Sequence, residues 1–188
     1  MGGNPLMISL ETRRLLLRSY EWKHLQALHK ILSDPVTMKF WPAPFSIEQT
    51  REWIGGSMEL YTSGFGRLGI FRKDNGFLIG DAGLRVVNID GRQENDLGYI
   101  IKAKYWGQGY GKEAAAAVFN YGLHTLKLQR ICANMPVDHF GSIKVAARLG
   151  MVLKREFLNQ RNRNIRTYLY IYDVLANKRS EGYAEDQE

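Results

Sequence analysis

The sequence predicts an α/β (α+β) domain with a mixed, mostly antiparallel central sheet flanked by helices. Two hairpins supply the antiparallel part. Segments 65–72 and 77–88 are separated by Asp74-Asn75-Gly76, whose Asn-Gly is a strong hairpin signal, and strands at about 151–158 and 165–175 flank the turn Asn159 to Asn164. The helical part starts with Trp22, Leu25, Leu28 and Leu32, which recur at helical spacing. Between these parts lies the stretch around which the chain is organised. The apolar run Leu97 to Ile101 leads to glycines at 107, 109 and 111 and then to the alanine-rich segment Ala114 to Tyr121. That order reads as strand, tight turn, helix.

The other elements follow in chain order. A first strand is expected over Arg13 to Ser19, and Pro35 stops the first helix. Phe40-Trp41-Pro42-Ala43-Pro44-Phe45 is an aromatic loop stiffened by proline. Ser46 with Gln49 forms a capping box for a second helix, in which Trp53 and Ile54 should face inward. Gly55-Gly56 weakens its middle and predicts a kink there. A turn at Asp90-Gly91 leads to the strand ending at Ile101; an apolar strand follows at 128–135, then a helix at 140–149 ended by Gly150. Tyr168, Tyr170 and Tyr172 fall on one strand face by period two and read as a packed face. A length of 188 residues suggests one domain, 1–188, with its core at about 9–175 and a polar tail at 176–188. Such a chain can bury a core without covalent staples.

The formal charge is +7; residues 181–188 hold four acids and no Lys or Arg, so the first 180 residues carry +11. A surplus of that size attracts polyanions. Its densest cluster is Lys154, Arg155, Arg161, Arg163 and Arg166, which suits an exposed strand pair or a nucleic-acid surface. The single cysteine, Cys132, excludes an internal disulfide and fits a reducing compartment, with core packing as its expected role. No apolar run approaches membrane-span length, and no basic region followed by an apolar block opens the chain. A cytoplasmic location without membrane contact is therefore expected. His24, His29 and His124 lie on expected helices without metal-ligand spacing, so no metal site is expected.

The glycine turn carries the chemistry. The first N–H groups of a helix lack internal partners, and the helix dipole adds partial positive charge beside them. Together they form an anion site suited to phosphate, which glycines let approach the backbone. Gly109-x-Gly111-x-x-Ala114 matches the dinucleotide fingerprint by spelling, but Leu128-Gln129-Arg130-Ile131 stands where its acid belongs. A Walker A loop fails because Glu113 follows Gly111-Lys112 where Ser or Thr is required.

The third phosphate motif is the pyrophosphate loop of the GNAT N-acetyltransferases, Gln/Arg-x-x-Gly-x-Gly/Ala. Trp106-Gly107-Gln108-Gly109-Tyr110-Gly111 resembles it, with Trp in the first position. Trp there, followed by Gly-x-Gly-Tyr and Glu-Ala, resembles the branch of ribosomal-protein N-terminal acetyltransferases (RimJ/RimL-like). Glu11 to Arg18 is similar to that branch's opening strand, Ser33-Asp34-Pro35 to its first helix end, and Asp96-Leu97-Gly98-Tyr99-Ile100 to its Glu-Ile-Gly-Tyr strand. Ser142 to Met151 is similar to its Asn-x-x-Ser…Leu-Gly-Phe helix, with His139 where Asn is usual. The likeness spans about residues 9 to 175.

This resemblance implies a GNAT-like sheet of about six to seven strands with about four helices, and transfer of an acetyl group from acetyl-CoA to a primary amine. Trp106, Gly107, Gln108, Gly109, Tyr110, Gly111 and Lys112 would hold the pyrophosphate, while the pantetheine arm would lie along Ile100 and Ile101 like an added strand. Asp96 matches the family's strand acid and is the first candidate for the base, with Glu156 as rival. Glu113, in a helix's first turn, suits the dipole better. Ser142 matches the family Ser that reaches the leaving thiolate, helix capping being its other reading. His139 would contact CoA or stand in for the missing Asn. The first two helices and the Phe40–Phe45 loop would wall the acceptor pocket. A protein N-terminus, aminoglycoside, polyamine or free amino acid all remain open as the acceptor, as do a ribosome contact and a monomer or homodimer. Two other classes also remain: a CoA-binding regulatory module without turnover, and an RNA- or ribosome-binding protein.

Overall fold

The computed structural model describes residues 7–89 and 91–177. Its strands are β1 (Ser9–Glu11), β2 (Leu15–Ser19), β3 (Gly66–Arg72), β4 (Leu78–Ile89), β5 (Arg92–Ile101), β6 (Arg130–Pro136), β7 (Val152–Asn159) and β8 (Ile165–Asp173). Its helices are α1 (Leu25–Leu32), α2 (Ile47–Leu60), α3 (Tyr110–Asn120) and α4 (Phe140–Arg148). One eight-stranded sheet runs in the order β1-β2-β3-β4-β5-β6-β8-β7, antiparallel throughout except for β5 beside β6. The mixed, mostly antiparallel sheet is as expected, with one strand more than the six to seven foreseen. That strand is β1, whose three residues are too few to show alternation and are held by pairing with β2. Residues 1–6, Asp90 of the Asp90-Gly91 turn, and 178–188 of the expected tail lie outside the described residues.

Local chemistry explains most boundaries. Ser46 Oγ accepts from the Gln49 amide at 3.1 Å and Gln49 Oε1 accepts from the Ser46 amide at 2.8 Å, so the capping box opens α2. Gly55-Gly56 does not interrupt the helix: α2 runs unbroken from Ile47 to Leu60. A Cβ on Gly55 would only touch the Trp22 indole, at 3.4 Å, and one on Gly56 would meet nothing within 4 Å. Trp22 itself belongs to a 3-10 turn ahead of α1 and is 51% exposed, so the inward stripe starts at Leu25. Gly76 has φ +70°, and the Phe77 amide donates to Asn75 Oδ1 at 3.0 Å, closing the β3–β4 turn.

Strand β5 positions everything that follows. It pairs with β4 along its whole length, from Ile89↔Arg92 to Gly80↔Ile101. With β6 it shares one register pair, Asp96↔Cys132, after which β6 continues against β8. The sheet therefore splits beyond Asp96. Alternation sends Leu97 and Ile101 into the core beneath α3, with Tyr110, Ala114 and Val118. Ile100 packs instead with Leu25, Leu28 and Ile54 of α1 and α2. One strand thus presents one face to each helical layer at the point where the sheet opens.

Candidate active site

A cleft of about 1060 Å³ occupies the split. Its walls combine Gly107, Gly109 and Lys112 of the turn, Tyr99 and Ser142 on the α3–α4 side, and Asp96, Trp53 and Arg85 on the α1–α2 side. Of the residues singled out from sequence, Ile100, Ile101, Trp106, Tyr110, Gly111 and His139 line it as well.

The glycine turn ends in a helix start of the expected kind. Gly107 and Gly109 have φ +75° and +80°, the left-handed region that a side chain disfavours, and Gly109 is the N-cap of α3. Among the described hydrogen bonds, no amide from 107 to 112 donates to a protein acceptor; the first that does is Glu113, to the Gly109 carbonyl at 3.1 Å. A row of unpaired N–H groups at a helix start fits a diphosphate. Gly111 has a different reason to be glycine. Its φ is not left-handed, but a Cβ there would meet the Tyr99 ring at 2.8 Å. Gln108 contributes only backbone: its side chain donates to the Lys104 carbonyl at 3.2 Å and is not part of the cleft wall. The Trp106 indole donates to the Ile101 carbonyl at 2.6 Å, tying the turn to the end of β5.

Arg14, which drew no attention as a site residue in the sequence, braces this turn. Its Nη1 donates to the Gln108 carbonyl at 3.0 Å, its guanidinium lies 4.3 Å from the Tyr110 ring centre, and its Nε donates to Glu113 at 2.7 Å. Glu113 also accepts from Thr12 Oγ1 and the Arg14 amide. These contacts hold the Glu113 carboxyl below its ordinary pKa against the opposing effect of burial. Glu113 is thus an anchor between the start of α3 and the β1–β2 turn, beyond any dipole effect. Only the pairing of Thr12-x-Arg14 with Glu113, 99 residues apart, could have signalled it, and a single sequence does not show that.

On the α3–α4 side, Ser142 Oγ lies 3.2 Å from Tyr99 Oη and 3.2 Å from His139 Nε2. His139 is the N-cap of α4, and its Nδ1 accepts from the Ser142 amide at 3.4 Å. The capping role considered for Ser142 therefore belongs to His139, which frees the serine hydroxyl. Burial, helped by Lys39, pulls the His139 pKa down to about 4, so the ring is neutral near pH 7. With Nδ1 accepting, its proton sits on Nε2 and points to Ser142 Oγ. His139 also stacks on Phe40 at 3.8 Å, so the aromatic loop reaches the site.

Across β5, Asp96 is half-buried at the cleft wall. Asn134 Nδ2 donates to its Oδ1 at 2.7 Å, and Cys132 Sγ–H approaches the same oxygen at 3.6 Å. Among the described residues no donor meets Oδ2. Burial raises its pKa to about 6, against the opposing pull of Asn134, Arg67, Cys132 and Arg85. A carboxylate with that pKa and one unengaged oxygen can accept a proton near neutrality. Cys132 is buried as expected, though it also touches Asp96; burial pushes its thiol pKa far up. Glu156 stands elsewhere, paired with Arg166 at 2.5 Å on β7 and β8 and absent from the cleft wall.

The basic cluster is partly engaged within the fold. Besides the Arg166–Glu156 pair, Arg163 Nη2 donates to the Lys39 carbonyl at 3.5 Å, and Asn162 Nδ2 to the Phe40 carbonyl at 2.7 Å. The β7–β8 turn is thereby strapped to the aromatic loop at the cleft rim. Among the described residues no helix is long and apolar enough to cross a membrane.

Comparison with known proteins agrees with this geometry. Residues 14–152 match the family model described as an acetyltransferase (GNAT) domain. The N-acetyltransferase p20 of Bacillus licheniformis is 30% identical over 173 residues, covering 87% of this chain and 95% of p20. The ribosomal-protein-serine acetyltransferase of Escherichia coli is 29% identical over 135 residues, 68% of this chain and 73% of that protein. Among solved structures, a GNAT-family acetyltransferase from Bacillus anthracis superposes with a TM-score of 0.76 at 26% identity, covering 89% of this chain and 99% of that one. Because the matched family segment contains the split strand, the glycine turn and the Ser142 helix together, the chain belongs to the GNAT family and is an N-acetyltransferase of that type.

Proposed function

We propose that this protein acetylates a primary amine by direct attack on the acetyl-CoA thioester, with Asp96 as base and Ser142 as acid. The observation that carries the reading is a single cleft walled at once by the unpaired amides of the turn, by Ser142 and by Asp96. Acetyl-CoA supplies the activated acyl carbon. The amides of 107–112, with Lys112, hold its pyrophosphate, and the end of β5 at Ile100 and Ile101 runs beside its arm. Asp96 Oδ2 takes the proton from the incoming ammonium, directly or through water, because only the free amine has a lone pair to donate. As the C–N bond forms and the C–S bond breaks, the Ser142 hydroxyl protonates the departing sulfur, and the proton shed by the new amide nitrogen returns to Ser142 through solvent, leaving Asp96 to release its own proton to water. His139 Nε2–H and Tyr99 Oη orient that hydroxyl. The protein acts as one cytoplasmic domain.

A thiol-release assay with acetyl-CoA against a panel of amines tests this. Amine-dependent release, lost in Asp96→Asn and reduced in Ser142→Ala, is expected. Release independent of any amine overturns the proposal.

A further inference from the structure

We propose that the acceptor is an amine bearing a carboxylate a few carbons away, gripped by Arg67 and Arg85 while its amine faces Asp96. This deepens the transfer reading above and rests on it.

The grip is built into the sheet. Arg67 on β3 stands opposite Gly83 on β4, which stands opposite Gly98 on β5. Two glycines in one rung leave a trough, and the Arg67 side chain lies in it: a Cβ on Gly98 would sit 2.4 Å from Arg67 Nη1. The guanidinium thus crosses β4 to reach the strand that walls the cleft, while Arg67 is only 3% exposed. Its Nε donates to Asp81 Oδ1 at 2.5 Å. Asp81 Oδ2 is already occupied by Tyr20 Oη at 2.7 Å and Trp53 Nε1 at 3.0 Å. Arg67 Nη2 is buried with no partner, and no hydrogen bond engages Nη1 among the described residues. An unpaired buried donor on a charged group is costly and rare. The edge without a protein partner is the planar Nη1/Nη2 fork, whose geometry matches a carboxylate.

Arg85 supplies a second cation. It stands opposite Asp96 in the β4–β5 register yet forms no ion pair with it among the described residues. Its guanidinium instead lies 4.9 Å from the Trp53 ring centre, the ring that Arg67 approaches from 5.3 Å. Residues directly opposite on antiparallel strands are about 4.5–5.5 Å apart, and same-face neighbours along a strand about 7 Å. The backbone positions of Asp96, Arg85 and the Gly83–Gly98 rung thus lie within one strand spacing and one two-residue repeat of one another, on the face that lines the cleft. A polyamine or aminoglycoside would place extra cations beside two guanidinium groups, whereas a zwitterion meets opposite charge at both ends. Two sources share this chemistry: a free amino acid, and a peptide whose first residue is Asp or Glu.

The test is thiol release by the wild-type protein with free α-amino acids, their carboxamides, Asp- and Asn-initiated dipeptide amides, and spermidine. Carboxylates should exceed their matched amides in kcat/KM by about 10- to 100-fold, and Arg85→Gln should collapse that ratio toward one. A preference among free amino acids identifies the first source; preference for Asp over Asn in the dipeptides identifies the second. Arg67→Lys keeps a cation on Asp81 while removing the fork, and should also reduce the ratio. Amides and spermidine serving as well as acids would overturn the inference. Should no amine release thiol, calorimetric titration of the CoA complex with the same compounds separates the two ideas. Carboxylate-selective binding would sustain the inference and refute the transfer reading, and absence of that selectivity would refute the inference too.

Discussion

Replacing Asp96 with Asn separates catalysis from stability at one residue. The substitution keeps an oxygen to accept from Asn134 and removes the proton acceptor. If Asp96 is the base, kcat falls roughly 10²–10⁴-fold with CoA affinity nearly intact. The deficit shrinks as pH approaches the amine's own pKa, where the amine deprotonates unaided. The wild-type profile should lose activity on the acid side around pH 6, where Asp96 protonates. The same shift sets a stability effect. The folded-state pKa is raised, from the ordinary 3.8 to about 6, so the native state favours the neutral acid. Its stabilising contribution is complete below pH 3.8 and is lost as pH rises through about 6. At pH 8 the wild type therefore carries a penalty on the order of 1–3 kcal/mol, the lower end reflecting water at the open cleft wall. Asp96→Asn should relieve it and melt several degrees higher at pH 8, at roughly 2–4 °C per kcal/mol, with the gap closing toward pH 4. Stopped-flow or steady-state thiol release and thermal denaturation at the two pH values are the assays. A variant that is fully active, or whose deficit stays constant up to the amine's pKa, would refute Asp96 as base. A variant that is less stable at pH 8 would show that the ionised carboxylate is a structural anchor.

The remaining predictions concern the cosubstrate and the other wall. Acetyl-CoA at about 100 times its Kd should stabilise the fold by about 2.7 kcal/mol in thermal denaturation, with NAD and ATP doing much less; an equal shift from NAD would count against the turn as a CoA site. Gly109→Val, at φ +80°, and Gly111→Val, against the Tyr99 ring, should both weaken CoA binding by calorimetry on folded protein, and Tyr99→Ala should ease only the second defect. Unchanged affinity in both variants would place the pyrophosphate elsewhere. Ser142→Ala should lower kcat by about 10²-fold or more with little loss of stability, since His139 caps α4; an unchanged kcat would remove Ser142 from the reaction. Initial-rate patterns should be sequential, because Cys132 is buried with its thiol pKa pushed up and offers no thiolate to carry the acetyl group; a trapped acetyl-enzyme would contradict this.

What could be read from the chain was whatever repeats within a few residues. The capping box of Ser46 and Gln49, the turn at Gly76 and the helix start at Gly109 all depend on neighbours in sequence, and each appears where its pattern stands. Gly55-Gly56 did not break α2, because two glycines weaken a helix locally while the packing of Ile54 and Ser57 on either side still holds it. At Gly111 the positive φ that a turn glycine suggests is absent, and a Cβ there would meet a ring twelve residues back. Arg14, Arg67 and Tyr99 were missed as site residues for one common cause. Each acts through a partner brought close by sheet pairing or helix packing: Glu113 for Arg14, Asp81 and Gly98 for Arg67, Ser142 for Tyr99. A surplus of +11 over the first 180 residues shows that cations abound, but not which of them is left unpaired at a cleft.

The strand period itself offers a reason for the site's position. β5 parts from β6 beyond Asp96, so at its end one edge is open while its two faces meet different helical layers. Successive residues point to opposite sides, which places Asp96 and Gly98 toward α1 and α2 and Leu97 and Tyr99 toward α3 and α4. On the reading proposed here, the acceptor meets the first set and the thioester lies by the second. Their separation is then set by the covalent repeat of one strand, which bends far less than a junction between two packed elements. Holding two reactants in such a fixed relation is worth a large part of the barrier to a bimolecular reaction, on the order of 7–11 kcal/mol when the alignment is good. The Gly83–Gly98 rung makes the same strand receive the Arg67 guanidinium from the other side of β4, so the acceptor's anion would be referenced to the same backbone as its amine. A side chain at Gly98 would therefore displace more than one arginine nitrogen: it would shift the acceptor relative to Asp96, at the point where the strand leaves β6.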